Sequence, residues 1–229
     1  MKNTGYFFVK RSFDIAASAL GLILTSPILL VTAAGIVISD PGPVFYRAER
    51  VGKDNQLFRM WKFRRMRVPR TESEKSEKSF KADVSRIFPF GGLIRRLKID
   101  ELPQLINILN GTMSVVGPRP AAKDQVQIMR AGKYNIASSV RPGLTGPAAL
   151  YDYIYGDEIE GSDDYEALVL PTRRELEAYY PRHMGLGMDA RMIFWTLCCI
   201  CDSIAHRRPE KIYNTLVSWG EQEKKETSQ

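Results

Sequence analysis

The sequence has only two histidines, His183 and His206, and neither stands in a ligand-spaced cluster. A histidine-based metal site is therefore not expected, and chemistry falls to carboxylates and cations. Cysteine is almost as scarce. Cys198, Cys199 and Cys201 crowd into one apolar stretch, WTLCCICDSI, with no second cluster to complete a zinc site or a disulfide framework. They are read as reduced, buried thiols in a cytosolic environment. No Walker or dinucleotide glycine pattern occurs, nor any internal repeat. Acidic charge is also short: 26 Asp and Glu face 33 Lys and Arg, a net charge of +7. That balance asks for an anionic partner, whether nucleic acid, an anionic membrane surface or a phosphorylated substrate.

Charge is missing altogether from Ile15 to Ile38 (IAASALGLILTSPILLVTAAGIVI). About 24 residues at 1.5 Å each give roughly 36 Å of helix, enough to cross a bilayer. Ala33-Ala34-Gly35 resembles a signal-peptide cleavage site, but the apolar run is longer than such peptides carry. Ser26-Pro27 sits mid-run, where proline removes a helical N–H, so a break or sharp kink is expected there. Both flanks are basic, with Lys2, Lys10 and Arg11 before the run and Arg47, Arg50 and Lys53 after it. The positive-inside rule then has no preferred direction. A helix-break-helix that returns to the face it entered satisfies both features, and a kinked single span is the alternative.

Further along, Pro41-Gly42-Pro43 marks a turn, and FRMWKFRRM (58 to 66) reads as an alternating strand or an amphipathic interfacial helix presenting Lys62 and Arg64 to phosphate or headgroups. RTESEKSEKS (70 to 79) has no apolar period and reads as a mobile loop or solvated helix. YDYIYGDEIEGSDDYE (151 to 166) reads as a solvated loop, with a place near a sugar-binding mouth as the alternative. RRELEAYY (173 to 180) looks helical, and the apolar stretch 188 to 208 reads as a helix too polar at its ends to span, packed on the core or lying at a membrane surface. The end of the chain, WGEQEKKETSQ, is expected to be disordered.

The densest chemistry is in RRLKIDELPQLINILNG. Leu102, Leu105, Ile106 and Leu109 follow the i, i+3, i+4, i+7 rule of an amphipathic helix. Pro103 fits only a first turn, so the helix is expected to start at about Asp100. Asp100 and Glu101 would then face unpaired N–H groups and a positive dipole end, which favours an ionised Asp100. Arg119 and Arg141 each sit on a rigid turn, Gly-Pro-Arg-Pro and Arg-Pro-Gly, suited to forking onto phosphate oxygens. A carboxylate pair amid Arg95, Arg96, Lys98, Arg119 and Arg141 fits phosphate chemistry, with the carboxylates attacking phosphorus or holding magnesium. A helix cap followed by an ordinary first-turn glutamate fits the same spacing.

KRSFDIAASALGLILTSPILL, AERVG, WKFRRM, LIRRLKIDELPQLINILNGTMSVVGPRP and VRPGLTG, in that order, resemble the bacterial sugar transferase family, the monotopic phosphoglycosyl transferases. The resemblance runs from about Lys10 to the MDARMIFWT segment. It implies a helix-rich α/β protein with a re-entrant segment broken at Ser26 and Pro27 (residues 1–40), a cytosolic catalytic domain with amphipathic interfacial helices (41–208) and a tail (209–229). The implied place is the cytoplasmic face of a bacterial inner membrane. The implied reaction moves a sugar 1-phosphate from a nucleoside diphosphate sugar, usually a uridine one, to polyprenyl phosphate, with Mg2+ as cofactor. Carried onto this chain, Asp100 matches the nucleophile and Glu101 its acidic partner in magnesium or proton handling. Arg95, Arg119 and Arg141 would hold phosphates, and Lys62 and Arg64 would lie near the headgroup. After VRPGLTG the sequence departs from the tryptophan and polar stretch of many relatives and continues PAALYDYIYGDEIEG, which leaves the sugar open.

Two other classes fit the residues alone. One is a membrane-tethered basic module that binds anionic lipid or nucleic acid, and would not notice Asp100→Asn. The other is a magnesium-dependent lipid-phosphate hydrolase, which needs no acceptor lipid. The resemblance argues for polyprenyl phosphate, the nucleotide sugar and the bilayer as partners, with no nucleic acid; a homo-oligomer is compatible with the sequence but not set by it.

Overall fold

The computed structural model describes residues 4–68, 86–156, 159, 164–205 and 207–227. The polar run at 70 to 79, His206 and most of 157–163 lie outside the described residues. The first element is helix α1 (Thr4–Ser39), 36 residues with Pro27 inside and long and apolar enough to cross a membrane. The chain is not divided into two helices at Ser26-Pro27. The reason is local: Pro27 has no N–H for the Ile23 carbonyl four residues back, and the Ser26 hydroxyl donates to that carbonyl at 2.8 Å instead. Thr25 makes the same kind of bond to Gly21 (2.7 Å).

A β-hairpin follows, β1 (Phe45–Val51) against β2 (Leu57–Phe63), antiparallel from Phe45↔Phe63 to Val51↔Leu57. It settles FRMWKFRRM as strand up to Phe63. Helix α2 (Pro89–Arg96) starts with proline at its first position, and a short α3 (Gln104–Leu109) leads to β3 (Ser114–Val116). β4 (Ala121–Ala122) adds to the free edge of β1, giving a three-stranded sheet ordered β2-β1-β4. After α4 (Val126–Met129) and a 3-10 segment (Gly132–Ser139), β5 (Gly143–Thr145) pairs parallel with β3. This pairing brings together the two arginine-bearing turns. Ser114 N–H donates to the Pro142 carbonyl (2.9 Å), and Gly143 N–H to that of Pro118 (2.8 Å). A Cβ at Gly143 would lie 2.1 Å from the Gly117 nitrogen, so only glycines let these backbones approach.

Among the described residues, further helical elements close the molecule: α5 (Pro147–Ile154), a π-helical turn (Tyr165–Val169) running into α6 (Leu170–His183), α7 (Leu186–Ile204) and α8 (Glu210–Glu226). The main core gathers Leu150, Tyr151, Ile154, Leu176, Tyr180, Met192 and Leu216 from these helices with Val116. Two expectations fail here. The C-terminal residues form α8 and bury Leu216 and Trp219, with Tyr179, Trp219 and Trp195 stacked. Tyr151–Ile154 is helix rather than solvated loop, and both named residues are core. The three thiols are free, but only Cys199 is buried and Cys201 is exposed.

α1 is tied to this body at both ends and between. Lys10 Nζ and Tyr6 OH each lie 2.9 Å from Asp189 Oδ2 on α7. Arg11 donates to the carbonyls of Ile108 (2.7 Å) and Leu109 (2.9 Å), satisfying the C-terminal end of α3. Buried Asp14 accepts from Ser114 Oγ (3.0 Å) and Val115 N–H (2.9 Å). Ile36 packs with Phe63, Phe88 and Ile94, and Arg64 clasps Asp40. The opposite side of α1 is apolar and exposed, with Phe8, Ile23, Leu24, Leu30, Val31 and Ile38 turned outward.

Candidate active site

Asp100 and Glu101 fall in a 3-10 turn, Ile99–Glu101, between α2 and α3. The helix expected from Asp100 begins instead at Gln104, directly after Pro103, whose missing N–H leaves no intrahelical bond unmade at a helix start. Lys98 enters the turn with a left-handed backbone (φ 56°). Successive side chains of a 3-10 turn diverge by about 120°, so the two carboxylates face different cations. Glu101 Oε1 is 2.7 Å from Lys62 Nζ on β2, and Asp100 Oδ2 is 3.7 Å from Arg65 Nε just beyond that strand. α2 presses on the backbone at Arg65: a Cβ at Gly91 would lie 2.1 Å from the Arg65 carbonyl oxygen. That glycine is what lets the chain carry Arg65 so close to Asp100.

Asp100 is 2 % exposed, and its Oδ1 has no hydrogen-bond partner among the described residues. Burial, and then the charge of Glu101, push Asp100 above the ordinary carboxylate range against the pull of Lys62, Arg65 and Lys98. A helix terminus holding Asp100 ionised was expected; the structure supplies cations for that task and burial against it. Glu101 ends on the other side. Burial opposes its ionisation, but Lys62, followed by Arg119 and Lys98, holds it well below the usual carboxylate range. Burial also lowers Lys62, with Glu101 and Asp100 offsetting part of the effect.

Arg119 stands on the other side of the pair, its Nε 3.6 Å from Asp152 Oδ2 on α5 and its side chain 35 % exposed. Lys98 lies over the Tyr153 ring, 4.4 Å from the centroid. Thus α5 contacts two of the cations that flank the carboxylates, Arg119 and Lys98. Arg50, on β1, has a buried Nε with no partner among the described residues; burial, then the charge of Arg119, lowers it.

Of the expected site residues, Lys62 and Arg119 meet the carboxylates. Arg95 is half-buried on the last turn of α2. Arg64 is not with them: buried, it donates to Asp40 and to the Pro43 carbonyl (2.6 Å), fastening the end of α1. Arg141 is exposed and donates to the Gly111 carbonyl (2.7 Å), beside Lys10 and Arg11 of α1. Arg65, not singled out from the sequence, is the arginine that faces Asp100, just past the end of β2 at Phe63. Asp152 was missed, although Pro147, Leu150, Tyr151 and Ile154 carry the helical i, i+3, i+4, i+7 spacing that would have placed it on α5. Among the described residues, no three His, Cys, Asp or Glu gather as a metal-binding group.

The model of the family described as "Bacterial sugar transferase" matches residues 5–203. The chain is 36 % identical over 206 residues to a UDP-N-acetylgalactosamine-undecaprenyl-phosphate N-acetylgalactosaminephosphotransferase of Aeromonas hydrophila, covering 88 % of this chain and 46 % of that protein. It is 35 % identical over 192 residues to a UDP-glucose:undecaprenyl-phosphate glucose-1-phosphate transferase of Escherichia coli (strain K12), covering 82 % and 39 %. Exopolysaccharide production protein ExoY of Rhizobium meliloti (strain 1021) is 34 % identical over 206 residues, covering 84 % and 85 %. The chain therefore spans less than half the length of the first two relatives and most of the third.

Proposed function

The chain belongs to the bacterial sugar transferase family, and from that premise we propose that it moves a sugar 1-phosphate from a UDP-sugar to undecaprenyl phosphate. The observation that carries this reading is Asp100, a buried carboxylate with one unpartnered oxygen, faced by Arg65 and flanked by Lys62 and Lys98, with Arg119 acting on its neighbour Glu101. Such a carboxylate is poorly solvated and lies among cations, which favours attack on a phosphorus whose oxygens those cations neutralise.

In the first step an Asp100 oxygen bonds to the sugar-bearing phosphorus and the bond from that phosphorus to the bridging oxygen breaks. UMP leaves with the electron pair. In the second, an oxygen of the lipid phosphate attacks the same phosphorus, the acyl-phosphate bond breaks, and Asp100 returns as carboxylate. Arg119, on its rigid turn, forks onto the diphosphate, while Lys62, held by Glu101, neutralises charge beside it. The carboxylates fit a magnesium ion: Asp100 Oδ1 is an unpaired buried acceptor, and a hard cation takes such oxygens together with phosphate and water. Asp100 and Glu101 would hold it, and it would offset charge on the diphosphate. Glu101 stays ionised at neutral pH, so of its two expected roles the metal suits it better than carrying a proton.

The anchoring of both ends of α1 to one body supports a monotopic placement, since a crossing helix would carry one end roughly 30 Å away. Its exposed apolar side would lie in the bilayer, with the body at the cytoplasmic face. A panel of UDP-sugars, assayed for UMP release by the chain in nanodiscs, tests the reading. About one UMP per chain without lipid and continuous turnover once undecaprenyl phosphate is added are expected of a two-step transferase. Continuous turnover without lipid would mean hydrolysis instead.

A further inference from the structure

Arg119 belongs to a closed circuit of charged and hydroxyl groups. Its Nε pairs with Asp152 Oδ2 at 3.6 Å. Asp152 Oδ1 accepts from the Tyr165 hydroxyl, which in turn accepts from Arg173 Nη1 at 2.6 Å. Arg173 Nε donates to Glu177 Oε1 (3.3 Å), and Glu177 Oε2 accepts from Arg130 Nη1. Arg130 Nη2 then donates to the backbone carbonyl of Arg119 at 3.0 Å. Arg119 is thus gripped at its guanidinium through α5 and at its main chain through α4's end, with both paths meeting on α6. Tyr165, Arg173, Glu177 and Arg130 are buried, and Arg119 is the open member.

Buried charges are costly unless paired and held in good geometry, and removing one partner leaves the others uncompensated. Within the circuit three arginines face two carboxylates, so one positive charge is left over, and Arg119 is where an anion can reach it. Burial opposes ionisation of Asp152, but Arg173 and Arg119 keep it below the usual carboxylate range, so the circuit is charged at neutral pH.

We propose that Asp152 is a positioning residue: through this circuit it fixes the Arg119 guanidinium at the angle from which its exposed N–H groups fork onto the diphosphate of the nucleotide sugar. The inference rests on the reading of Arg119 as a phosphate ligand. Asp152 bears no proton and touches no reacting atom; it acts through Arg119, with Tyr165 and Arg173 keeping its carboxylate in place.

The test uses inorganic pyrophosphate as probe, because simple charge bookkeeping and positioning predict opposite signs. Deleting a carboxylate 3.6 Å from Arg119 should tighten anion binding on Coulomb grounds alone. Positioning predicts instead that Asp152→Asn weakens pyrophosphate binding about tenfold, and Tyr165→Phe about threefold, with a matching rise in KM for the UDP-sugar. In an Arg119→Lys background neither change should matter further, since effects through one shared group do not add. Unchanged or tighter binding by Asp152→Asn, or the same loss in the Arg119→Lys background, overturns the proposal. Thermal midpoints are followed alongside; if Asp152→Asn does not fold, Tyr165→Phe, which removes one hydroxyl, decides by the same criteria. Weakened pyrophosphate binding with no UMP from any UDP-sugar would sink the transferase reading and leave this one standing. Normal UMP release with unaltered pyrophosphate binding would do the reverse.

Discussion

The Lys62–Glu101 pair allows a prediction with a worked size. At 2.7 Å and an effective dielectric of about 20, two unit charges attract by about 6 kcal/mol. The side chains are 16 % and 22 % exposed, so desolvation removes a large share of that, more than at a surface and less than in a dry core. Between about 1 kcal/mol for exposed pairs and about 3–5 for breaking a buried one, we expect Lys62→Met or Glu101→Gln to cost about 2–3 kcal/mol. The double variant should cost little more than either, giving a coupling energy of about 2 kcal/mol in a double-mutant cycle. Thermal unfolding of the four proteins in micelles at neutral pH reads this, at about 2–4 °C per kcal/mol. The same variants should move the acid limb of activity in opposite directions. Asp100 must be ionised to attack, Lys62 lowers it and Glu101 raises it, so Lys62→Met moves the limb to higher pH and Glu101→Gln to lower. Single effects that add within about 0.5 kcal/mol, or limbs that shift together, would mean that the two side chains do not act as a pair.

Other outcomes follow from single contacts. Asn107 Oδ1 accepts from Trp61 N–H (2.8 Å) and its Nδ2 donates to the Arg59 carbonyl (2.9 Å), acting as a strand on the open edge of β2. Asn107→Leu should cost about 3 kcal/mol by denaturant unfolding, since these two hydrogen bonds and a third from Nδ2 to Thr112 Oγ1 (3.1 Å) go, and the two backbone partners stay unsatisfied. Gly143→Ala forces a Cβ against the Gly117 nitrogen and should cost at least about 3 kcal/mol, read as a collapse of the thermal midpoint. Asp100→Asn should leave the fold more stable than the parent at neutral pH. A carboxyl raised above its unfolded value stabilises fully below the ordinary Asp range and loses that as pH rises through the raised value, a loss the amide lacks. The two melting curves should therefore converge near pH 4.

Much of the site was legible because the chain states it locally. Pro103 limits where a helix can begin, FRMWKF offered a strand as one of two readings and carries Lys62 as that strand, and the glycine-proline turns hold Arg119. What was not legible depends on distant partners. Nothing near Arg64 in sequence says that Asp40 and the Pro43 carbonyl will claim it, leaving Arg65 for Asp100. Nor does the Ser26-Pro27 dipeptide by itself reveal that a hydroxyl will take over the carbonyl proline abandons, so that one helix runs through it. The upward push on Asp100 was not legible for the same reason: cations can be counted in the sequence, but the burial that opposes them comes from packing. The tail shows the limit of composition. WGEQEKKETSQ is polar, yet Trp219 and Gly220 belong to the buried side of α8, which Leu216 and Ile212 begin upstream.

In the proposed reaction Asp100 takes the sugar phosphate covalently. The direct measurement is peptide mass analysis of the chain after exposure to a turned-over UDP-sugar with no lipid present. One sugar-phosphoryl group on Asp100 is expected for each UMP released, absent from Asp100→Asn and discharged by undecaprenyl phosphate. UMP release that begins only when the lipid is added, with Asp100 unmodified throughout, would contradict it.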